Sequence, residues 1–169
     1  MLKLLQLYWL IARRKLGPED VPVSPFLLQM TILVYALLQL PLLWRQSGIT
    51  PGALFSIVAD VLILSGFVWV LLRMTSKSER YIQTVTAFFG TGCIVTLVAL
   101  PITFLYLNTP EDSEQILFLY FALLGVIIWS VTINAHIFSR AVSRTMAEGI
   151  VLSLFYFVIN FQVLEAIPG

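Results

Sequence analysis

The stretch that decides the fold is residues 53–72, which read ALFSIVADVLILSGFVWVLL. Asp60 is its only charged residue. A helix of this length is about 30 Å long, which matches the hydrocarbon thickness of a bilayer. The run therefore predicts a transmembrane helix with one carboxyl group inside it. A charged side chain at such a depth costs at least about 3 kcal/mol, so we expect Asp60 to face neighbouring helices.

The rest of the chain continues this apolar pattern. Of its 169 residues, 59% are hydrophobic and 11% are charged, and the mean hydropathy is +0.94. An average soluble domain is about 25% charged. Further apolar runs cover 26–44, 81–107, 116–138 and 149–167. The predicted fold is all-α, a helical bundle of about five transmembrane helices that forms a single domain over 18–169.

The basic residues predict the orientation of these helices. With five spans, 9 of the 10 Lys and Arg residues fall on the side that holds the N-terminus. The other side has Arg45 and the acidic loop around Glu111 and Glu114. Lys and Arg are enriched in cytoplasmic loops. We therefore predict a cytoplasmic N-terminus and an outside C-terminus, and the short loops without a targeting peptide favour a bacterial inner membrane.

Residues 1–17 are apolar but too short to span a bilayer. A helix of 15 residues is only about 22 Å long. Tyr8 and Trp9 prefer the membrane interface, and a basic cluster follows them. We predict an amphipathic helix that lies on the cytoplasmic face, with the cluster at anionic lipid headgroups. The cluster consists of Arg13, Arg14 and Lys15.

Four polar side chains are predicted at similar depths in the outer half of the membrane. Asp60 lies about 12 Å from the start of its span and Asn160 about 10 Å from the end of its own. Gln39 and Thr103 reach similar levels, so the four can form one hydrogen-bonded layer. Asp60 is then either a proton- or ion-linked carboxylate or a residue that fixes helix packing. The second interpretation is favoured, because no opposing acid or cation occurs at that depth.

The remaining chemistry-bearing residues are too few to build a catalytic or metal site. Cys93 is the single cysteine and His136 the single histidine, so neither has partners at metal-ligand spacing. No cofactor is expected, and no paired nucleophile and base indicates an enzyme. The net charge of +1 does not favour nucleic acid as a partner.

The stretch from about residue 52 to 164 resembles the Yip1-domain membrane proteins. The likeness lies in five closely spaced spans with an inside N-terminus and an outside C-terminus. It also lies in YIQTVTAFFG at 81–90, in the later Leu100-Pro101, and in 129–144, where a span ends in SRAVSR. The compact chain is similar to bacterial members. The resemblance implies a non-enzymatic protein that acts through membrane partners or lipids.

Two functions follow from these features. The first is a scaffold or accessory subunit that binds another membrane protein or shapes lipid. The expected partners of the chain are the lipid bilayer and either another membrane protein or further copies of itself. The alternative is a small oligomeric transporter or channel with Asp60 in its pathway. An intramembrane enzyme ranks last, because it needs a catalytic pair or a metal-ligand set that the sequence lacks.

Overall fold

The computed structural model describes residues 2–46, 50–110 and 112–166, and these form a bundle of α-helices. The elements are α1 (Leu2–Ala12), α2 (Pro25–Gln46), α3 (Pro51–Met74), α4 (Tyr81–Asn108), α5 (Glu114–Val142) and α6 (Met146–Glu165). Helices α2 to α6 are long and apolar enough to cross a membrane. The prediction of an all-α membrane bundle is confirmed.

The ends of the spanning helices lie within four residues of the predicted ends wherever both are described, whereas α1 ends at Ala12, five residues before the predicted end at residue 17. Local capping explains several of them. Thr50 caps α3 by accepting a hydrogen bond from the Ala53 amide, and Thr145 and Glu148 form a capping box at the start of α6. Some positions used in the predictions lie outside the described residues. They are the end of the last span at Ile167, the loop residues 47–49 and Glu111, and the side chain of Arg45.

Helix α4 is the central helix of the bundle. It packs against α1, α2, α3 and α5, and every residue from 84 to 91 is buried. Helix α6 packs on α5 and on α3. The consecutive helices α2 and α3 contact each other far less than α2 contacts α4. The short loop therefore does not force α2 against α3, and a space between them remains.

Helix α1 docks on the side of α4. The Tyr8 ring lies against Gly90, where a Cβ atom would approach it to 2.4 Å, and the hydroxyls of Tyr8 and Thr31 are 3.3 Å apart. Gly90 is nine residues into α4, about 13 Å from its start. The predicted N-terminal helix is therefore present, but Tyr8 anchors it to the spanning helices instead of facing the membrane surface. Its place in the interface stays a prediction.

The loops 13–24, 75–80 and 143–145 meet at one end of the bundle, which we call the basic end. Lys77 Nζ donates to the Val142 carbonyl at 2.6 Å, and Gln83 Nε2 donates to the Val21 carbonyl at 2.8 Å. Arg140 pairs with Glu19. Cations close to the last carbonyls of α5 suit the negative end of its dipole. This is the end that the sequence assigns to the cytoplasm.

Candidate intramembrane polar site

Asp60 lies on α3 and is hydrogen-bonded by two other helices. The Tyr35 hydroxyl on α2 donates to Asp60 Oδ2 at 2.8 Å, and Asn160 Nδ2 on α6 donates to Oδ1 at 2.6 Å. Asn160 Nδ2 is also 2.7 Å from the Tyr156 hydroxyl. We call these four residues, Tyr35, Asp60, Tyr156 and Asn160, the Asp60 ring. The ring joins three helices around one carboxylate.

Small residues let the helices that carry the ring approach their neighbours. A Cβ atom on Gly92 of α4 would lie 3.0 Å from the Tyr35 ring, so the absence of a side chain at Gly92 makes room for that ring. A Cβ atom on Gly149 of α6 would lie 2.2 Å from the Ala135 carbonyl oxygen of α5. Close contact at small residues is the usual way in which helices pack in membranes. Gly92 and Gly149 thereby set the positions of Tyr35 and of α6.

A groove of about 370 Å³ opens between α2, α3 and α6, with Asp60 among its lining residues. Gln39 and Ser56 line it together with the Asp60 carboxylate. Its walls are apolar and include the aromatic side chains of Phe157 and Phe161. The groove thus combines one acidic group with an apolar wall, which is the usual composition of a small-molecule site.

The Asp60 carboxylate can accept more hydrogen bonds than the ring donates to it. An ionised carboxylate can accept about four hydrogen bonds. The distances above account for two of them. Among the described residues that line the groove, none is Lys or Arg. Carboxylates inside membrane spans usually pair with another group or mark an ion or substrate path, and the hydrogen-bond partners of Asp60 in the ring, Tyr35 and Asn160, are neutral donors.

The structure brings together three of the four polar residues that the sequence placed in one layer. Asp60 and Asn160 are in direct contact, and Gln39 lines the same groove. Thr103 does not line the groove and has no hydrogen bond to the ring in the described part of the chain. Depth along a span sets the level of a side chain, but rotation by about 100° per residue sets its face. The depth argument included Thr103 because it ignored rotation.

Sequence reasoning missed Tyr35 and Tyr156. Each lies four residues before a polar residue that was singled out, Gln39 on α2 and Asn160 on α6. Residues at i and i+4 lie on one helix face. Helical spacing therefore places both tyrosines on the same helix faces as Gln39 and Asn160.

The other residues singled out lie at or near the basic end. Arg13, Arg14 and Lys15 follow α1 and are exposed, and their contact with lipid headgroups stays a prediction. His136 Nε2 is 2.8 Å from the Leu16 carbonyl oxygen, so the histidine ties α5 to the segment after α1. Among the described residues, no group of three or more His, Cys, Asp or Glu side chains is placed to hold a metal ion.

The fold and the ring define a polytopic membrane protein with an intramembrane carboxylate site. No protein-family model, curated protein or solved structure matches this chain. The resemblance to Yip1-domain proteins therefore stays a prediction.

Proposed function

We propose that this chain is a small membrane protein that binds a lipophilic organic cation in the Asp60 groove. The observation that carries the proposal is the Asp60 carboxylate, which faces an apolar groove with no basic side chain among its described lining residues. This is the alternative function predicted from the sequence, a transporter or channel with Asp60 in the pathway, given a chemical class of ligand.

The lining of the groove supports an organic cation over a hydrated metal ion. Phe157 and Phe161 supply aromatic surface, and aromatic rings attract cations by about 0.5–2 kcal/mol. Leu42 and Ile57 supply aliphatic surface. The volume of about 370 Å³ falls at the lower end of the range for small-molecule sites. A compact ligand with an apolar body and one positive charge fits this lining.

Equilibrium binding of radiolabelled tetraphenylphosphonium to the purified protein in mild detergent tests the proposal. We expect saturable binding by the wild type. Asp60→Asn keeps the shape of the side chain and removes its charge, so the Kd should rise by about tenfold or more, as for loss of a buried charge pair. Thr103→Val is the matched control: it removes a polar group from a spanning helix outside the groove and should leave the Kd unchanged.

Two results would contradict the proposal. One is an absence of saturable binding by a wild-type protein that elutes as a single folded species in gel filtration. The other is an Asp60→Asn variant that binds with the wild-type Kd, because the probe would then lie elsewhere.

The second candidate function is the scaffold or accessory subunit, acting through membrane partners or lipids as the Yip1-like resemblance implies. The exposed cluster of Arg13, Arg14 and Lys15 beside the docked helix α1 favours it, since such clusters bind anionic headgroups. Purification of the tagged protein from its native membrane in mild detergent, followed by mass spectrometry, tests it. A stoichiometric membrane partner supports this function, and a self-associated species without a partner supports the first.

A further inference from the structure

A second cavity lies on the other side of the Asp60 ring from the groove. Its volume is about 140 Å³, and Tyr35 lines both spaces. Tyr156 lines the smaller cavity, and its hydroxyl is hydrogen-bonded to Asn160, which lines the groove. On α3, the groove is lined by Asp60 and the smaller cavity by Leu64, one turn closer to the basic end. The rest of its lining comes mainly from α4 and α5. The Asp60 ring therefore lies between two spaces at successive levels of the bundle, through the shared Tyr35 and the hydrogen bond between Tyr156 and Asn160.

Polar side chains in the lining of the smaller cavity are accessible to water. The side chains of Thr96, Ser130 and Asn134 line it, and none of them has a hydrogen bond to another described residue. Ser130 and Asn134 are half-buried, and no fully buried side-chain nitrogen or oxygen atom among the described residues lacks a partner, so the unpaired polar atoms of the lining border space that water can enter. A cavity of this size has room for about four waters at roughly 30 Å³ each, and its polar walls can hold them.

We propose that this cavity is a water-filled inner chamber of the Asp60 site, and that the Asp60 ring is a hydrogen-bonded barrier between the chamber and the groove. The barrier depends on the carboxylate, because Asp60 is the acceptor that holds both Tyr35 and Asn160. Loss of that acceptor releases both side chains. The ring is therefore the point at which water and small ions from the groove are admitted or stopped.

The side of the chamber that faces the basic end is closed by packed apolar residues. Phe88 lines the chamber, and its ring lies 4.6 Å from that of Phe138, which is fully buried. Ile137 on the same helix is also fully buried. Close packing of this kind leaves no room for water. Water therefore does not enter the chamber from the basic end.

Silver ions provide a probe, because they react with thiols and reach only positions that water reaches. The background is Cys93→Ser, which removes the single cysteine. One cysteine is then introduced at Ser130 in the chamber. Two controls are Ser56→Cys in the groove and Ile128→Cys on the same helix as Ser130, where the side chain is 57% exposed on the outside of the bundle. After each exposure time the protein is denatured and labelled with a maleimide. The fraction of thiol that no longer reacts with the maleimide gives the rate at which silver ions have blocked it.

With an intact ring, we expect Ser130→Cys to react about tenfold more slowly than Ser56→Cys, since the ring is held by hydrogen bonds to Asp60. Adding Asp60→Ala should raise the Ser130→Cys rate by about tenfold and leave Ile128→Cys unchanged. Tyr35→Phe, which removes one of these hydrogen bonds, should give a smaller rise in the same direction.

The proposal is overturned if Ser130→Cys stays as slow as Ile128→Cys after Asp60→Ala, because the cavity is then dry. It is equally overturned if Ser130→Cys reacts as fast as Ser56→Cys with the ring intact, because there is then no barrier. Thr96→Cys is a second chamber position for the case in which Ser130→Cys does not fold. No organic cation is used, so the result is independent of the tetraphenylphosphonium experiment.

Discussion

The two halves of the bundle differ in how they are packed. Towards the basic end, residues 84–91 of α4 are buried on every side, whereas none of the residues of α4 after Thr96 is buried. The fully buried side chains of α5, such as Ile137 and Phe138, lie in the same half as the buried run of α4. The other half contains the groove and Asp60. The comparison shows a molecule with one half that holds the helices together and another half that leaves space around a charged group.

A physical reason for this division is that lipid gives helices no hydrophobic drive to associate. Helices in lipid associate instead through tight packing at small residues and through hydrogen bonds between helices. The packed half contains such contacts, including Gly149 against Ala135 and a hydrogen bond from Ser153 Oγ to the Val131 carbonyl at 3.1 Å. With the helices fixed there, the opposite half can keep an open groove. Three substitutions test this comparison.

Gly149→Ala should have the largest effect on stability. The new Cβ atom would lie 2.2 Å from the Ala135 carbonyl oxygen, and a backbone atom moves only if α5 moves. Overpacking of this kind costs about 3 kcal/mol or fails to fold. Unfolding in mixed micelles with increasing sodium dodecyl sulfate, followed by circular dichroism, measures the loss of free energy of unfolding.

Gly125→Ala is the matched control for Gly149→Ala. It lies in α5, and a Cβ atom there would meet nothing within 4 Å. Its free energy of unfolding should change by less than about 1 kcal/mol, the difference in helix propensity between Gly and Ala. Equal losses for the two variants would mean that the contact between α5 and α6 does not hold the bundle together.

Asp60→Leu should have an intermediate effect. It leaves Tyr35 and Asn160 without their shared acceptor, and hydrogen bonds between membrane helices are worth about 0.6 kcal/mol on average. We expect a loss of about 1 kcal/mol in the same micelle titration, and a smaller loss for Asp60→Asn, which keeps an acceptor. A loss as large as that of Gly149→Ala would show that Asp60 serves mainly to fix helix packing, and the two halves would then not differ as proposed.

Glu19→Gln should have the smallest effect. The ion pair between Glu19 and Arg140 is exposed, with 37% and 55% of the two side chains accessible. Exposed pairs contribute about 0.2–1 kcal/mol, and salt screens them. We expect a loss below about 0.5 kcal/mol that disappears at 1 M salt. Glu79→Gln at the same end is the control, since Glu79 is exposed and forms no ion pair within the described residues. A larger loss of free energy of unfolding that persists at 1 M salt would show that this ion pair contributes substantially to the stability of the basic end.

The sequence predicted the depth of the site residues in the membrane, but not the direction in which each side chain points. The depth of Asp60, Gln39 and Asn160 in their spans follows from counting residues at 1.5 Å each. That count placed Thr103 at the same level, although it does not line the groove. The tyrosines of the ring stand at i−4 from Gln39 and Asn160, but tyrosine also fits a membrane interface, so spacing by itself does not distinguish the two roles.

The sequence by itself determined that this is a membrane protein of five spanning helices, because apolar runs of bilayer length have no other stable arrangement in lipid. It also determined which helices carry the polar groups. Only the tertiary structure decided that α2 packs on α4 and not closely on α3, that α1 docks at Gly90, and that Tyr35 and Asn160 converge on Asp60. The physical reason is that spans are fixed by transfer into lipid, which depends on local composition. The faces that meet are fixed by packing between residues far apart in the chain.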